Sequence, residues 1–350
     1  MLDAYLDDLE SRIDDSVETA LWDDWRAFYE GRGPATGFFS PRRPKPAPAR
    51  IPWPDVGVNE FFENPEQMLY HELRLCSAVL DSGGGRVLNV RCNYSTAILP
   101  SLFGTPLYMM DAALNTLPTA LALEGGVPAL RALVERGAPD LRAGLGARVF
   151  DMADRFMEVL DRRPTLKRHV RLYHPDLQGP MDVCEVIWGS AIFLGAYDEP
   201  ELLHRLLALV TDAYERFMHA WARYERPGEQ PYNAHWGLVI KGRVMLRDDS
   251  AMNFSPDMYR EFVAPYDSRL LKQFGGAVHF CGRGDHYLDQ LVRLPGLTAV
   301  NLSQPNYNDM EKVFSLTVDR GIPLQGLKST AAEAALASGR DLRGLAHVFA

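Results

Sequence analysis

The chain has 350 residues, 47% hydrophobic and 24% charged, enough to bury a sizeable core without disulfides or structural metals. No apolar run reaches the roughly 18 residues of a membrane-spanning helix. The formal charge of -9 sits mostly in residues 1–30, where ten Asp/Glu face two Arg. That leaves the remainder near neutrality, with no positive field to hold nucleic acid or an anionic membrane.

Taken in chain order, the first element is an acidic, amphipathic helical arm over residues 1–32. Leu2, Leu6, Leu9, Ile13, Val17, Leu21, Trp25 and Phe28 recur at helical spacing. Such an arm packs on its own body or on a second copy in a homodimer. Its acidic start is unlike a secretory signal, and four scattered cysteines form no C-x-x-C, so a reducing cytoplasm is expected. Residues 33–59 form a Pro-rich connector whose run Pro41-Arg-Arg-Pro-Lys-Pro-Ala-Pro-Ala-Arg50 reads as extended and solvated.

Residues 60–350 then alternate between helical and β patterns. Long helices are predicted over Pro65–Asp81, Val149–Leu160, Pro200–Tyr224 and Ser255–Phe274, the last interrupted by Pro265. Between the helices lie eight apolar runs: 87–90, 107–110, 170–173, 244–246, 277–280, 297–302, 322–324 and 345–349. Eight strands separated by helices predict a parallel, fully covered sheet, and count and length both fit an α/β (β/α)8 barrel. A doubly wound open sheet is the alternative. The run Gly83-Gly84-Gly85 precedes a strand and matches neither a dinucleotide fingerprint nor a P-loop, so it reads as a turn.

In such a barrel the chemistry sits at the carboxyl ends of the strands. At the end of the fifth run, His279 and Cys281 lie two residues apart on a strand and project to one face. Imidazole and thiolate side by side are half of a tetrahedral zinc site. A packed histidine beside a buried free thiol is the plainer reading of the same pair. Other strand ends offer His174, Asp248 and Asp249, Asn301 with Gln304, and His347. His174 and the two aspartates are the candidates for acid–base work, although turns and helix caps recruit the same residue types. Arg91, Asn93 and His235 are expected to line a polar pocket.

The segment Arg247-Asp-Asp-Ser-Ala-Met-Asn-Phe-Ser-Pro-Asp-Met-Tyr-Arg-Glu-Phe-Val-Ala-Pro-Tyr266, followed by His279-Phe-Cys-Gly282, resembles the uroporphyrinogen decarboxylase superfamily. Gly179-Pro180 and Tyr197-Asp-Glu-Pro200 are similar to it as well. The resemblance covers roughly residues 70–350 and implies a (β/α)8 TIM barrel. It implies one of two chemistries: metal-free decarboxylation, or zinc-dependent methyl transfer between a corrinoid and a thiol. In the zinc relatives an H-x-C pair and a later cysteine bind the metal. His279 and Cys281 match the pair, but no cysteine follows Cys281. His347 is therefore expected as the third ligand of one zinc, with the fourth position open to a substrate thiol or water.

The arginine-rich motif that holds substrate carboxylates in the decarboxylases is not found. The leading expectation is a zinc methyltransferase with a small-molecule substrate, a corrinoid methyl donor and a corrinoid protein as partner. A carboxy-lyase using Asp248 or Asp249, and a non-catalytic binding barrel, are the alternatives. Tyr266 and Arg283 join Arg91, Asn93, His235, Asn301 and Gln304 as expected substrate contacts.

Overall fold

The computed structural model describes residues 2–349. The acidic arm is two helices, α1 (Leu2–Arg12) and α2 (Asp15–Tyr29), where the spacing predicts one. The break falls at Asp14, whose carboxylate accepts from Ser16 N at 2.9 Å and Val17 N at 3.3 Å and caps α2. Both helices pack on their own chain. Leu6 and Leu9 enter the main core, while Trp25 and Phe28 pack with Phe39, Val87 and Leu238. The connector is less solvated than its composition predicts. Arg43 is buried, donates to both oxygens of Glu18 at 2.7 and 2.6 Å, and fastens the connector to α2.

Seven of the eight expected runs form parallel pairs. Strand β1 (Asn89–Val90) pairs with β4 (Arg171–Leu172). Strands β7 (Val244–Arg247), β8 (Gly276–Phe280), β9 (Leu297–Leu302), β10 (Leu324–Leu327) and β11 (Ala346–Val348) form one five-stranded parallel sheet in chain order. The exception is β2 (Leu107–Tyr108), which pairs antiparallel with β3 (Thr119–Ala120) and leaves Tyr108 exposed. Among the described residues the two parallel groups do not merge into one ladder. Gly179 N donating to Arg247 O at 2.8 Å and Met245 N donating to His174 Nε2 at 3.2 Å bridge them. On the far edge, β11 pairs with Phe39 of the connector rather than with β1.

A hairpin of β5 (Tyr232–His235) and β6 (Leu238–Lys241) has no counterpart in the sequence reading. It lies against the sheet face that carries Met245, Ala277 and Ala299, with Ile240 packed among them. The two alanines leave room for a second layer of backbone. Gln325 Nε2 and Thr298 Oγ1 then donate to the carbonyls of Val239 and Lys241 at 2.8 and 2.6 Å. With α2 outside it, the hairpin fills the space at the amino ends of the strands. One step further along the same face, Arg247, His279, Asn301 and Gln325 stand in register on four neighbouring strands.

The helix predicted over Ser255–Phe274 is Pro256–Met258 and Ala264–Phe274, joined by a π turn over Tyr259–Val263. Pro265 has no N–H to give the preceding turn, and the wider turn absorbs the mismatch. No helix of the described residues is long and apolar enough to cross a membrane.

Candidate metal centre

The end of β8 sets His279 Nε2 3.3 Å from Cys281 Sγ. Asp249, from the loop after β7, joins them: its Oδ1 accepts from Cys281 N at 2.8 Å and lies 3.7 Å from His279 Nε2. The three ligating atoms all lie within 4.8 Å of one another. Asn301, the β9 neighbour in register with His279, accepts from its Nδ1 at 2.5 Å and donates to Gln325 O at 3.1 Å. A neutral imidazole carries one proton, so this bond leaves the Nε2 lone pair facing the thiol and the carboxylate. Burial lowers the His279 pKa from 6.5, which keeps the ring neutral at pH 7.

Cys281 behaves differently. Burial pushes its thiol up to about 11, although Ser303 Oγ donates to the sulfur at 3.1 Å and pulls the other way. The thiol thus keeps its proton at neutral pH until a cation displaces it. Two ligands across a tetrahedral zinc, with bonds of about 2.0–2.3 Å, sit roughly 3.3–3.8 Å apart. The His–Cys and His–Asp separations of 3.3 and 3.7 Å fall in that range. Nitrogen, sulfur and carboxylate oxygen form a donor set zinc accepts, and the Asp249 side chain is 42% exposed, leaving one side open.

The loops bearing these groups are pinned. Asp182 accepts from Asp249 N at 3.0 Å and Ser250 N at 2.8 Å, while Gln304 Oε1 accepts from Gly282 N at 2.5 Å. Along the strand direction, towards the hairpin, Arg247 is ion-paired with Asp176 at 2.5 Å and donates to His235 Nε2 at 3.0 Å. Its guanidinium lies 4.2 Å from the Trp236 ring, and that indole meets His279 edge to face at 5.1 Å. Two of these supports escaped the sequence reading. Ser303 lies two residues after Asn301, so the alternation that pairs His279 with Cys281 would have found it. Asp182 gave no local signal, because its partners are 67 and 68 residues away.

Of the expected site residues, Asp249, His279, Cys281, Asn301 and Gln304 converge, and His235 reaches them through Arg247. His347 does not join the ligand group. It stands on β11, three strands from β8 and so roughly 14 Å around the sheet at about 4.8 Å per strand. There it is buried against Trp25, Phe39 and Phe349, and its Nδ1 accepts from Gly326 N at 3.2 Å. Asp249 is instead the third group whose ligand atom comes within reach of His279 and Cys281. His174 is unsuited to proton transfer: Nδ1 bonds Pro175 O at 2.8 Å, Nε2 accepts from Met245 N, and burial lowers its pKa to about 3.

Asp248, unlike the partly exposed Asp249, is fully buried and sits beside Asp267. Tyr266 belongs to the outer helices, where its hydroxyl donates to His204 O at 3.1 Å. Arg283 is exposed and paired with Asp285 at 2.9 Å. Asn93 is buried against Glu72 at 3.1 Å, and Arg91 pairs with Asp176 at 3.2 Å.

No protein-family model matches the chain, and no curated protein matches it in sequence. Among solved structures, its fold is similar to that of a methyltransferase from Methanosarcina mazei, with a TM-score of 0.59 and 16% identity over 94% of this chain and 92% of that one.

Proposed function

We propose that the chain is a zinc-dependent methyltransferase of the uroporphyrinogen decarboxylase type. In this reading residues 60–350 form a (β/α)8 barrel, of which β1 with β4 and β7–β11 are arcs. Residues 1–32 and 33–59 are its arm and connector. The reaction moves a methyl group from a methyl-corrinoid, or a related donor brought by a partner protein, to the sulfur of a small thiol. The carrying observation is the convergence of Asp249, His279 and Cys281 with Asn301 fixing the imidazole. The likeness in fold to the Methanosarcina mazei methyltransferase supports the reaction class.

Zinc bound there would supply Lewis acidity that keeps a substrate thiol ionised at neutral pH. The chain's own groups do the rest. Asn301 holds His279 in one tautomer and one orientation. Asp182 and Gln304 hold the two loops that present Asp249 and Cys281. Trp236 and Arg247 close the inner side against water, so substrate approaches past the half-exposed Asp249, where the thiol proton leaves to solvent. The thiol sulfur then forms the new S–C bond as the donor's bond to the methyl carbon breaks.

Elemental mass spectrometry tests the reading on wild type, Cys281→Ala, Asp249→Ala and His347→Ala. About one zinc per chain is expected in wild type and in His347→Ala, with loss in Cys281→Ala and depletion in Asp249→Ala. Freshly reduced wild type that takes up no added zinc would refute it.

A further inference from the structure

We propose that a side cavity between the helix Pro65–Ser82, β1 and the turn of the β5–β6 hairpin binds a flat monocarboxylate. The cavity, of about 470 Å³, is walled by Leu75 and Val79 of the helix Pro65–Ser82, by Leu88 and Arg91, and by Tyr173 and Trp236. Its size is that of a small-molecule site. It lies beside β1, which pairs with β4 but not with β11.

Charge at this wall is unbalanced. Arg86, Arg91 and Arg247 stand in or one layer behind it, against the carboxylates of Glu72 and Asp176. Arg91 and Arg247 share Asp176, at 3.2 and 2.5 Å. Arg86 lies 4.1 Å from the Phe349 ring and donates to Trp236 O at 3.2 Å; among the described residues no carboxylate pairs with it. Three guanidiniums facing two carboxylates leave one positive charge, carried by a planar fork that matches a carboxylate. Apart from Ser82 and Asn89, the rest of the wall is apolar or aromatic, which suits a flat apolar body.

The backbone marks Trp236 as well. Trp236 and Gly237 form the two-residue hairpin turn with φ of +52° and +77°, a pattern that favours Asn-Gly. A bulky side chain at positive φ costs energy and is held there by its surroundings, and such outliers concentrate at ligand sites. Asparagine would make the turn more cheaply; tryptophan makes the wall. The same indole meets His279 edge to face at 5.1 Å, so Trp236 stands between an occupant and the metal group. The inference does not depend on a metal being bound.

The test is calorimetric titration of the full chain with 2-naphthoate, beside 2-naphthylmethanol as its uncharged counterpart, with and without EDTA. Arg86→Gln keeps an N–H for Trp236 O at an exposed position, and an unchanged thermal transition verifies its fold. Saturable naphthoate binding is expected in wild type, weakened about tenfold by Arg86→Gln and indifferent to EDTA, with naphthylmethanol binding unaffected by that change. Trp236→Leu should weaken both ligands. Absence of saturation in wild type up to about 1 mM naphthoate, equal naphthoate affinity in Arg86→Gln, or loss of binding in EDTA would each overturn it.

Discussion

Replacing Asn301 with alanine separates a metal-orienting residue from a merely structural one. Both Asn301 and His279 are buried, and the bond between them is 2.5 Å. Its removal leaves the imidazole Nδ1–H without an acceptor and Gln325 O without the Asn301 donor. Stranding a buried donor costs about 1–3 kcal/mol, which a urea titration reads as a lowered midpoint with unchanged slope. The effect on metal is separate. A freed ring turns and exchanges tautomers, and the loss of such a partner weakens zinc binding about 10–100-fold, or roughly 1.4–2.7 kcal/mol. Competition against a chromophoric chelator measures this on the folded protein. Asn301→Asp keeps the acceptor and should bind zinc as well as wild type or better. Zinc affinity within about twofold of wild type in Asn301→Ala would show that His279 does not present Nε2 to a metal in the way described.

His347→Ala should cost about 2–4 kcal/mol by removing its ring contacts with Trp25 and Phe349, measured by denaturant unfolding, while zinc content stays at the wild-type level. Burial raises the Asp267 pKa from 3.8 to about 7, so the folded state binds the extra proton between those values. Stability from this group is full below about 3.8 and is lost as pH rises through about 7, at up to about 1.4 kcal/mol per pH unit. Unfolding midpoints at pH 5, 6 and 7 should show that slope in wild type and a flatter one in Asp267→Asn. Gly179→Ala would place a Cβ 2.4 Å from Asp248 Oδ1 and 2.6 Å from Arg247 O, and a loss of about 2–4 kcal/mol is expected in thermal unfolding.

Periodicity carried most of the architecture. The runs at 244–246, 277–280 and 297–302 are strands within a residue or two, because each is buried on both faces and reads as continuously apolar. Period 2 also put His279 and Cys281 on one face. What it could not supply was which strand end meets which. His347 within the last apolar run and Asp249 just after the fourth are equally plausible from the sequence, and only the order of strands in the sheet sets the first three strands from β8 and the second beside Cys281. The hairpin Tyr232–Lys241 was missed because its turn is Trp-Gly, not the Asn-Gly that signals such a turn. The 107–110 run misled because four apolar residues say nothing of what covers them.

The packing of α2 on the hairpin has a consequence for how the protein is made. Trp25 and Phe28 leave the ribosome early, yet they are buried against Leu238 and His347. At about 5–20 residues per second, the nearer of these partners follows roughly 10–40 s later. Through that interval only Phe39 and then Val87 are there to cover the arm's aromatic side, so it stays partly bare until the hairpin is made and is open to chaperone capture or aggregation.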